Sequence, residues 1–269
     1  MGDLVDQSDL GKPRPGVDPA EIRARRVLRR FFEENREEVF FTRQVQVRHE
    51  DEFFHWITAR AIRNLLSEGL LLTETRKLTT DAEVHLLWHS GYRYYRRAAS
   101  RVMNLIEEYA APNLGGAIGS HGELIVLEGF AQQQFVLQGR NTNRYLGREW
   151  SRTGHDLDFI FERDRCVYGV EVKNTLGYIE YSELEAKIGL CKHLGIRPVF
   201  VVRMMPKVWI NEVRLRGGFT LVLKYQLYPR SHRDLANRVR TEFGLPVDAP
   251  RSLNEGTVGR FLKWHRRQL

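Results

Sequence analysis

The apolar positions in the N-terminal third recur at helical spacing in two separate segments. The first, DPAEIRARRVLRRFFEEN, begins with Asp18 as a cap and Pro19 at the first helical position. The second, DEFFHWITARAIRNLLSEGLL, ends at Gly69, since glycine readily adopts the left-handed conformation of a helix end. The pattern predicts two amphipathic helices, with buried faces formed by Ile22, Val27, Leu28, Phe31 and Phe32 in the first and by Phe54, Ile57, Ala61, Leu65 and Leu66 in the second.

A hairpin and a long helix are predicted to follow. LLLTETRKL and EVHLLWHS alternate between apolar and polar residues across the turn-like Thr79-Thr80-Asp81, and YRYYRRAASRVMNLIEEYAA has the pattern of a helix. Between the first two helices, EEVFFTRQVQV predicts a brief strand or turn with a small helix. This order resembles a winged helix-turn-helix domain, which implies an α+β unit that binds DNA or mediates dimerisation.

The domain boundaries follow from composition. Residues 1–18 are rich in Gly, Pro and Asp and predict a disordered lead-in. PNLGGAIGSHG is the strongest linker pattern in the chain, so we expect one domain over 19–111 and a second over 112–269.

The second domain is predicted to be α/β, with a mixed central sheet flanked by helices. GELIVLEGFAQQ and SELEAKIGLCKHLG predict helices, and HDLDFIFE, VYGVEVKN and RPVFVVR predict strands. EVRLRGGFTLVLKYQLYP predicts a hairpin that turns at Gly217-Gly218, and two terminal helices are expected near 231–243 and 255–268.

The charge favours a polyanionic partner. The net charge is +8 and the pI is near 9.6, and 34 of the 42 basic residues are Arg. Arg suits phosphates and guanine edges, so nucleic acid is expected, although a GC-rich genome or a thermophilic source would also explain the Arg bias. No apolar run is long enough to cross a membrane, and the first 20 residues are too polar for a signal peptide.

The two cysteines indicate a reducing compartment. Cys166 and Cys191 are far apart and match no metal-ligand spacing, so neither a disulfide framework nor a zinc site is expected. We therefore expect a cytoplasmic protein, associated with a prokaryotic nucleoid if it binds DNA.

Two acidic residues are predicted to face each other across a hairpin in GHDLDFIFERDRCVYGVEVKN. If the strands turn at Asp164-Arg165, paired residue numbers sum to 329, and Asp158 faces Glu171. Opposed carboxylates on one face repel each other, so they make sense around a divalent cation. Hard oxygen ligands favour Mg²⁺, for which Mn²⁺ can substitute.

Lys173 shares a sheet face with Glu171 because strand side chains alternate in direction. Its ammonium could position or deprotonate an attacking water and neutralise charge on phosphorus. Asp158, Glu171, Lys173 and a cation together suit metal-assisted phosphodiester hydrolysis.

Asp158, a turn and then Glu171-Val172-Lys173 resemble the PD-(D/E)xK nuclease superfamily, which includes restriction enzymes and Holliday-junction resolvases. The resemblance covers about residues 119–205 and implies a restriction-endonuclease-like fold. It also implies a further acid from the preceding helix, where Glu123 is the better candidate and Glu128 the second. One departure is that no Pro precedes the Asp, which leaves open whether Asp156 or Asp158 is the ligand; we expect Asp158.

Further residues are candidates for contact with this site or with DNA. Lys187 could reach the site, but a surface position on its helix is expected, and no role is assigned to His155 or Arg203. In the first domain, Thr58, Arg60 and Arg63 flank the apolar stripe of the second helix, so they could contact DNA in the major groove or form a solvated polar face.

The sequence thus predicts a Mg²⁺-dependent DNA endonuclease acting on duplex or branched DNA in restriction, defence or repair. A homodimer would allow double-strand cleavage. The alternatives are a non-catalytic DNA-binding regulator on a degenerate nuclease fold, an RNA-cleaving nuclease, and a protein-interaction module that binds no nucleic acid.

Overall fold

A computed structural model describes residues 18–269, which form two compact units of mixed α/β structure. The first unit runs to Leu114 and includes Arg238–Leu245, and the second comprises Gly115–Asn237 and Pro246–Leu269. The expected lead-in lies outside the described residues except for Asp18. No helix within 18–269 is long and apolar enough to cross a membrane.

The division of the chain differs from the predicted single cut at 111/112. Residues 238–245 belong to the first unit, where the Phe243 ring packs on Phe41 with their centroids 5.1 Å apart. Arg238 pairs with Glu108 at 2.6 Å in the same unit. The sequence pattern did not predict that residues 238–245 belong to the first unit, because their position depends on contacts between residues far apart in the chain.

The elements of the first unit follow the predicted order. They are α1 (Pro19–Glu34), β1 (Val39–Phe41), α2 (Thr42–Arg48), α3 (His55–Ser67), β2 (Leu71–Lys77), β3 (Glu83–His89) and α4 (Tyr95–Tyr109). The three strands form an antiparallel sheet of order β1-β3-β2. The predicted mixed segment, hairpin and long helix are therefore all present.

Helices α1 and α3 pack their predicted faces against the core of the first unit, fully or partly buried, with one exception. The Asp18 side chain caps α1 by accepting a hydrogen bond from the Ala20 amide at 2.9 Å, and α3 is followed by Gly69 at φ +73°. Ile22, predicted to be buried, is 48% exposed. The fully buried positions of α1 are the predicted Leu28 and Phe32 together with Ala24, which was not predicted, and the three recur every four residues.

The predicted linker is wrong, because its residues are helical. Helix α5 runs continuously over Pro112–Gln132. Pro112 occupies the first helical position, where it is favoured. Gly122 has a packing role, since a Cβ there would lie 2.7 Å from the Asn174 Cβ. The glycines therefore lie within the helix that starts the second unit.

The second unit is built on a five-stranded sheet of order β10-β9-β8-β7-β4. Its strands are β4 (Val136–Thr142), β5 (Arg144–Tyr145), β6 (Arg148–Glu149), β7 (Leu157–Arg163), β8 (Cys166–Lys173), β9 (Arg197–Val202), β10 (Phe219–Val222), β11 (Gln226–Leu227) and β12 (Val247–Asp248). Its further helices are α6 (Tyr181–Leu194), α7 (Lys207–Leu215), α8 (Arg233–Phe243, shared with the first unit) and α9 (Glu255–His265). Strands β4, β7 and β8 are antiparallel neighbours, whereas β8, β9 and β10 are parallel.

Helices cover both faces of this sheet, as predicted. Phe159 and Phe161 point into a core shared with α5 and α9. Ile160, between them, points to the opposite face and packs with Leu190 and Cys191 of α6. Both cysteines are free thiols.

The β7–β8 hairpin has the predicted register. Phe159 pairs with Val170 and Phe161 with Tyr168, so each pair of numbers sums to 329. Asp164 and Arg165 form the turn at φ 51° and 61°. The site geometry derived from this register therefore applies to the structure.

The predicted hairpin over 212–229 is wrong. Residues up to Leu215 belong to α7, and β10 pairs with β9 in parallel. Gly217, at φ +76°, lies just beyond the end of that helix instead of in a hairpin turn. The edge strand β4 was also missed, because most of its side chains are exposed and give no apolar alternation.

Candidate active site

Asp158 and Glu171 lie opposite each other where β7 begins and β8 ends. Phe159 pairs with Val170 in the antiparallel ladder, which sets Asp158 across from Glu171. One carboxylate oxygen of Asp158 accepts a hydrogen bond from the Val172 amide at 2.6 Å. The side chain thus lies against the strand that carries Glu171.

Glu171 is a buried acid held between two lysines. It is only 3% exposed, and its Oε2 accepts a hydrogen bond from Lys187 Nζ at 2.5 Å. Its Oε1 lies 3.5 Å from Lys173 Nζ. Burial raises the pKa of Glu171 to about 7, the charge of Asp158 adds to the rise, and Lys187 opposes it.

Asp158 is also disfavoured as an anion. Burial raises its pKa, while the Val172 amide and Lys187 oppose the rise and the negative charge of Glu123 adds to it. The two carboxylates therefore form an electrostatically strained pair that a positive ligand would stabilise.

Lys173 is positioned as a cation. Its Nζ lies 2.7 Å from Glu183 Oε1 at the start of α6. Burial alone would lower the pKa of Lys173, but the hydrogen bond to Glu183 and the charge of Glu171 outweigh burial and raise it. Of the two roles expected for Lys173, the raised pKa favours a fixed positive charge over a base that deprotonates water.

Lys187 reaches the site, so the expectation of a surface lysine is wrong. It is 5% exposed, and its ammonium donates to Glu171 and to the backbone carbonyl of Asp156. The sequence held a signal for this position. Leu184 and Cys191, three residues before and four after Lys187, are buried on the same face of α6.

Glu123 projects from α5 toward the strand pair, and its nearest cation is Arg140 at 3.4 Å. Asn174 fixes this helix, because its side-chain amide donates to the Ile118 carbonyl at 2.9 Å and to the Leu227 carbonyl at 2.7 Å. Gly122 packs directly on Asn174. Glu123 is therefore held near Asp158 by the residue that follows Lys173.

Of the alternatives left open, the structure places Asp158 rather than Asp156 beside Glu171. The Asp156 side chain is 54% exposed and lies 3.9 Å from Lys187 Nζ. Glu128 is exposed further along α5, and His155 binds Thr153 at 2.9 Å. Arg203 is buried.

In the first unit, the three expected DNA contacts differ in exposure. Thr58 is fully buried, so its expected role in DNA contact is wrong: it lies on the core side of α3. Arg60 pairs with Glu21 of α1 at 2.8 Å and with Asp18 at 3.3 Å. Arg63 is exposed. Of this trio, only Arg63 is fully available on the surface of α3.

The donor atoms suit a hard divalent cation, although no complete cage is formed. Within residues 18–269, no group of three or more acidic, His or Cys side chains is arranged to hold a metal ion. Asp158 and Glu171 supply carboxylate oxygens whose mutual repulsion a cation would relieve, and such oxygens are preferred by Mg²⁺ and Mn²⁺. Glu123 is near enough to influence Asp158 but is paired with Arg140.

The chain was compared with protein-family models, with curated proteins and with solved structures, and no significant match was found in any of the three comparisons.

Proposed function

We propose that the second unit hydrolyses phosphodiester bonds of DNA at Asp158, Glu171 and Lys173, with Mg²⁺ or Mn²⁺ as cofactor. The observation that carries this proposal is the facing pair of shielded carboxylates, of which Glu171 has its pKa raised to about 7, flanked by two lysine ammoniums. Such a pair costs stability, and strongly perturbed acids of this kind are typical of functional sites.

The chain's own residues have separate tasks in this proposal. Asp158 and Glu171 hold the cation, which when bound polarises the phosphate and lowers the pKa of water. Lys173 places positive charge where the phosphate gains negative charge. Lys187 keeps Glu171 oriented through its hydrogen bond, and Glu123 is a further acid for the same cation once it is released from Arg140.

The family resemblance remains part of the proposal. Helix α5 with Glu123, β7 with Asp158, β8 with Glu171 and Lys173, and then α6 and β9 follow the order that the PD-(D/E)xK resemblance implies. This order supports assigning residues 119–205 to a restriction-endonuclease-like fold.

We propose that the first unit binds DNA as a winged helix-turn-helix. Helices α1, α2 and α3 and the β2–β3 hairpin, with strand order β1-β3-β2, support this assignment. In this arrangement α3 enters the major groove and the exposed Arg63 contacts bases or phosphates. A homodimer in the cytoplasm or nucleoid would place two sites on opposite strands of duplex or branched DNA.

Nicking of supercoiled plasmid tests the enzyme proposal. With Mg²⁺ or Mn²⁺, Lys173→Ala is expected to lower the nicking rate about 100-fold, because one preorganised charge at the phosphate is lost. The rate is measured from the conversion of supercoiled to open-circular plasmid on agarose gels. Lys192→Ala, at an exposed position on α6, is the matched control and retains the wild-type rate.

Three results would contradict this proposal. A wild-type protein that shifts plasmid on a gel without nicking it is a non-catalytic DNA-binding regulator. Cleavage of RNA but not of plasmid would make RNA the substrate. DNA binding that does not weaken as the salt concentration rises would exclude the phosphate contacts that the proposal requires.

The raised pKa of Glu171 predicts pH-dependent cation binding. The carboxyl holds its proton more tightly folded than unfolded, so its contribution to stability falls as pH rises from 4.5 to about 7. A cation must displace that proton. We expect ~1 mM Mn²⁺ to raise the melting temperature by several degrees at about pH 8.5 and much less at about pH 6.

Thermal denaturation with and without Mn²⁺ checks this, using Glu171→Gln beside Glu162→Gln. Glu162 lies on β7 of the same hairpin, outside the site. Glu171→Gln should lose the Mn²⁺ stabilisation and Glu162→Gln should keep it. Equal stabilisation of both variants would place the cation elsewhere.

A further inference from the structure

The start of α4 carries positive charge with no acidic residue close in sequence. Between Glu83 and Glu107 the chain has four arginines and no Asp or Glu. Arg97 and Arg101 are four residues apart in α4 and so lie along one exposed stripe, and the exposed Arg93 lies in the turn just before the helix. Within the described chain, no ion pair holds any of these three side chains.

Two tyrosines complete this surface, which we call the α4 groove. It is lined by Glu37, Tyr92, Arg93, Tyr94, Arg96, Arg97, Ala98 and Arg101 and encloses about 810 Å³. Tyr94 is 85% exposed. The next residue, Tyr95, instead stacks on Trp88 with the ring centroids 4.0 Å apart. Of the neighbours Tyr94 and Tyr95, Tyr95 thus packs on the hairpin, whereas the Tyr94 ring is exposed to solvent.

A row of cations beside an exposed aromatic ring matches the chemistry of an unpaired nucleic-acid strand. The guanidiniums can follow successive phosphates, and the ring offers a face on which one base can stack. Bases in a duplex are already stacked on their neighbours and offer edges but no faces. The groove therefore favours single-stranded over blunt duplex DNA.

We propose that the α4 groove binds a single-stranded segment of DNA. The inference rests on the proposed DNA nuclease function, because it names the form of DNA that the enzyme takes. The substrate would be DNA in which duplex and single strand meet, such as an overhang, a fork or a flap. In such a substrate α3 contacts the duplex and the α4 groove holds the unpaired strand.

Fluorescence anisotropy with the full chain tests this proposal. The probes are a labelled single strand of about 20 nucleotides, the blunt duplex of the same sequence, and RNA of the same sequence. EDTA is present throughout, so binding is measured without cleavage. Arg97→Ala/Arg101→Ala should raise the Kd for the single strand about tenfold or more and reduce the salt dependence of binding. Arg26→Ala/Arg30→Ala, at exposed positions on α1, should leave it unchanged.

Tyr94 separates stacking from charge. Tyr94→Ala should raise the single-strand Kd about fivefold or more, whereas Tyr94→Phe, which keeps the ring, should stay near wild type. The duplex Kd should change little in both variants. Circular dichroism checks that each variant is folded.

Several outcomes would overturn the proposal. They are an unchanged single-strand Kd for Tyr94→Ala or for the double arginine variant, an equal loss in the α1 control, tighter binding of RNA than of DNA, and binding of anionic vesicles without binding of oligonucleotides. Since cleavage plays no part, a protein that binds single strands but never nicks DNA loses only the nuclease proposal. If the protein nicks DNA but substitutions in the α4 groove leave single-strand binding unchanged, only the proposal for the α4 groove is contradicted.

Discussion

Asp158→Asn is expected to reduce metal-dependent nicking by at least about 1,000-fold, a loss of about 4 kcal/mol of transition-state stabilisation. The substitution keeps the shape of the side chain and an oxygen that can accept the hydrogen bond from the Val172 amide. It removes the negative charge, which together with Glu171 is proposed to hold the cation. Initial rates of plasmid nicking at saturating Mn²⁺ measure the effect.

Asp156→Asn is the matched control, with the same chemical change two residues earlier. The Asp156 side chain is 54% exposed, and it contributes to the site mainly through its backbone carbonyl, which the substitution retains. Its nicking rate should stay within about threefold of wild type. Equal loss in both variants, or loss only in Asp156→Asn, would contradict the assignment of Asp158.

The fold should tolerate Asp158→Asn, which separates lost catalysis from lost structure. Burial and the charge of Glu123 both raise the pKa of Asp158, so its ionised form is unfavourable in the folded protein. Replacing it with a neutral amide should not lower the urea midpoint at neutral pH. If the urea midpoint falls strongly, the loss of nicking would have to be explained by unfolding of the variant.

Lys187→Met is expected to destabilise the protein by about 3 kcal/mol at about pH 9, because it leaves the Glu171 anion buried without its closest cation. The loss should be much smaller at about pH 6. Glu171 already has a pKa raised to about 7, and losing Lys187 raises it further, so at the lower pH the carboxyl becomes neutral. Folded protein then retains a proton that unfolded protein releases, and stability falls as pH rises.

Urea denaturation at the two pH values measures this difference. Lys192→Met is the matched control, since it is the same change at an exposed position on α6. It should cost less than about 0.5 kcal/mol at both pH values. A pH-independent loss in Lys187→Met would show that Lys187 contributes packing instead of neutralising Glu171.

Local signals explain which parts of the site the sequence could predict. The two-residue turn at Asp164-Arg165 fixes the β7–β8 register, so the positions of Asp158 and Glu171 follow from counting along one hairpin. Alternation along β8 adds Lys173 to the same face. The cap at Asp18 and the glycine after α3 likewise act on their own neighbours.

The errors arose where distant contacts decide the structure. The glycines of α5 suggested a linker. At Gly122, however, glycine is needed because Asn174, more than fifty residues later, packs where a Cβ would lie. A surface position was expected for Lys187 because charged side chains are usually exposed, although Lys187 lies on the same face of α6 as the apolar residues Leu184 and Cys191. Its partner Glu171 lies on another element, and no pattern within α6 reveals it.

Asn174 has a consequence for protein design. Asn174 directly follows Lys173 at the end of β8, and its side chain positions α5 and therefore Glu123. Transplanting the Glu-x-Lys tripeptide alone onto another scaffold would therefore leave the acidic helix without its alignment. The smallest transferable unit is residues 171–174 together with the Gly122-Glu123 step of the facing helix.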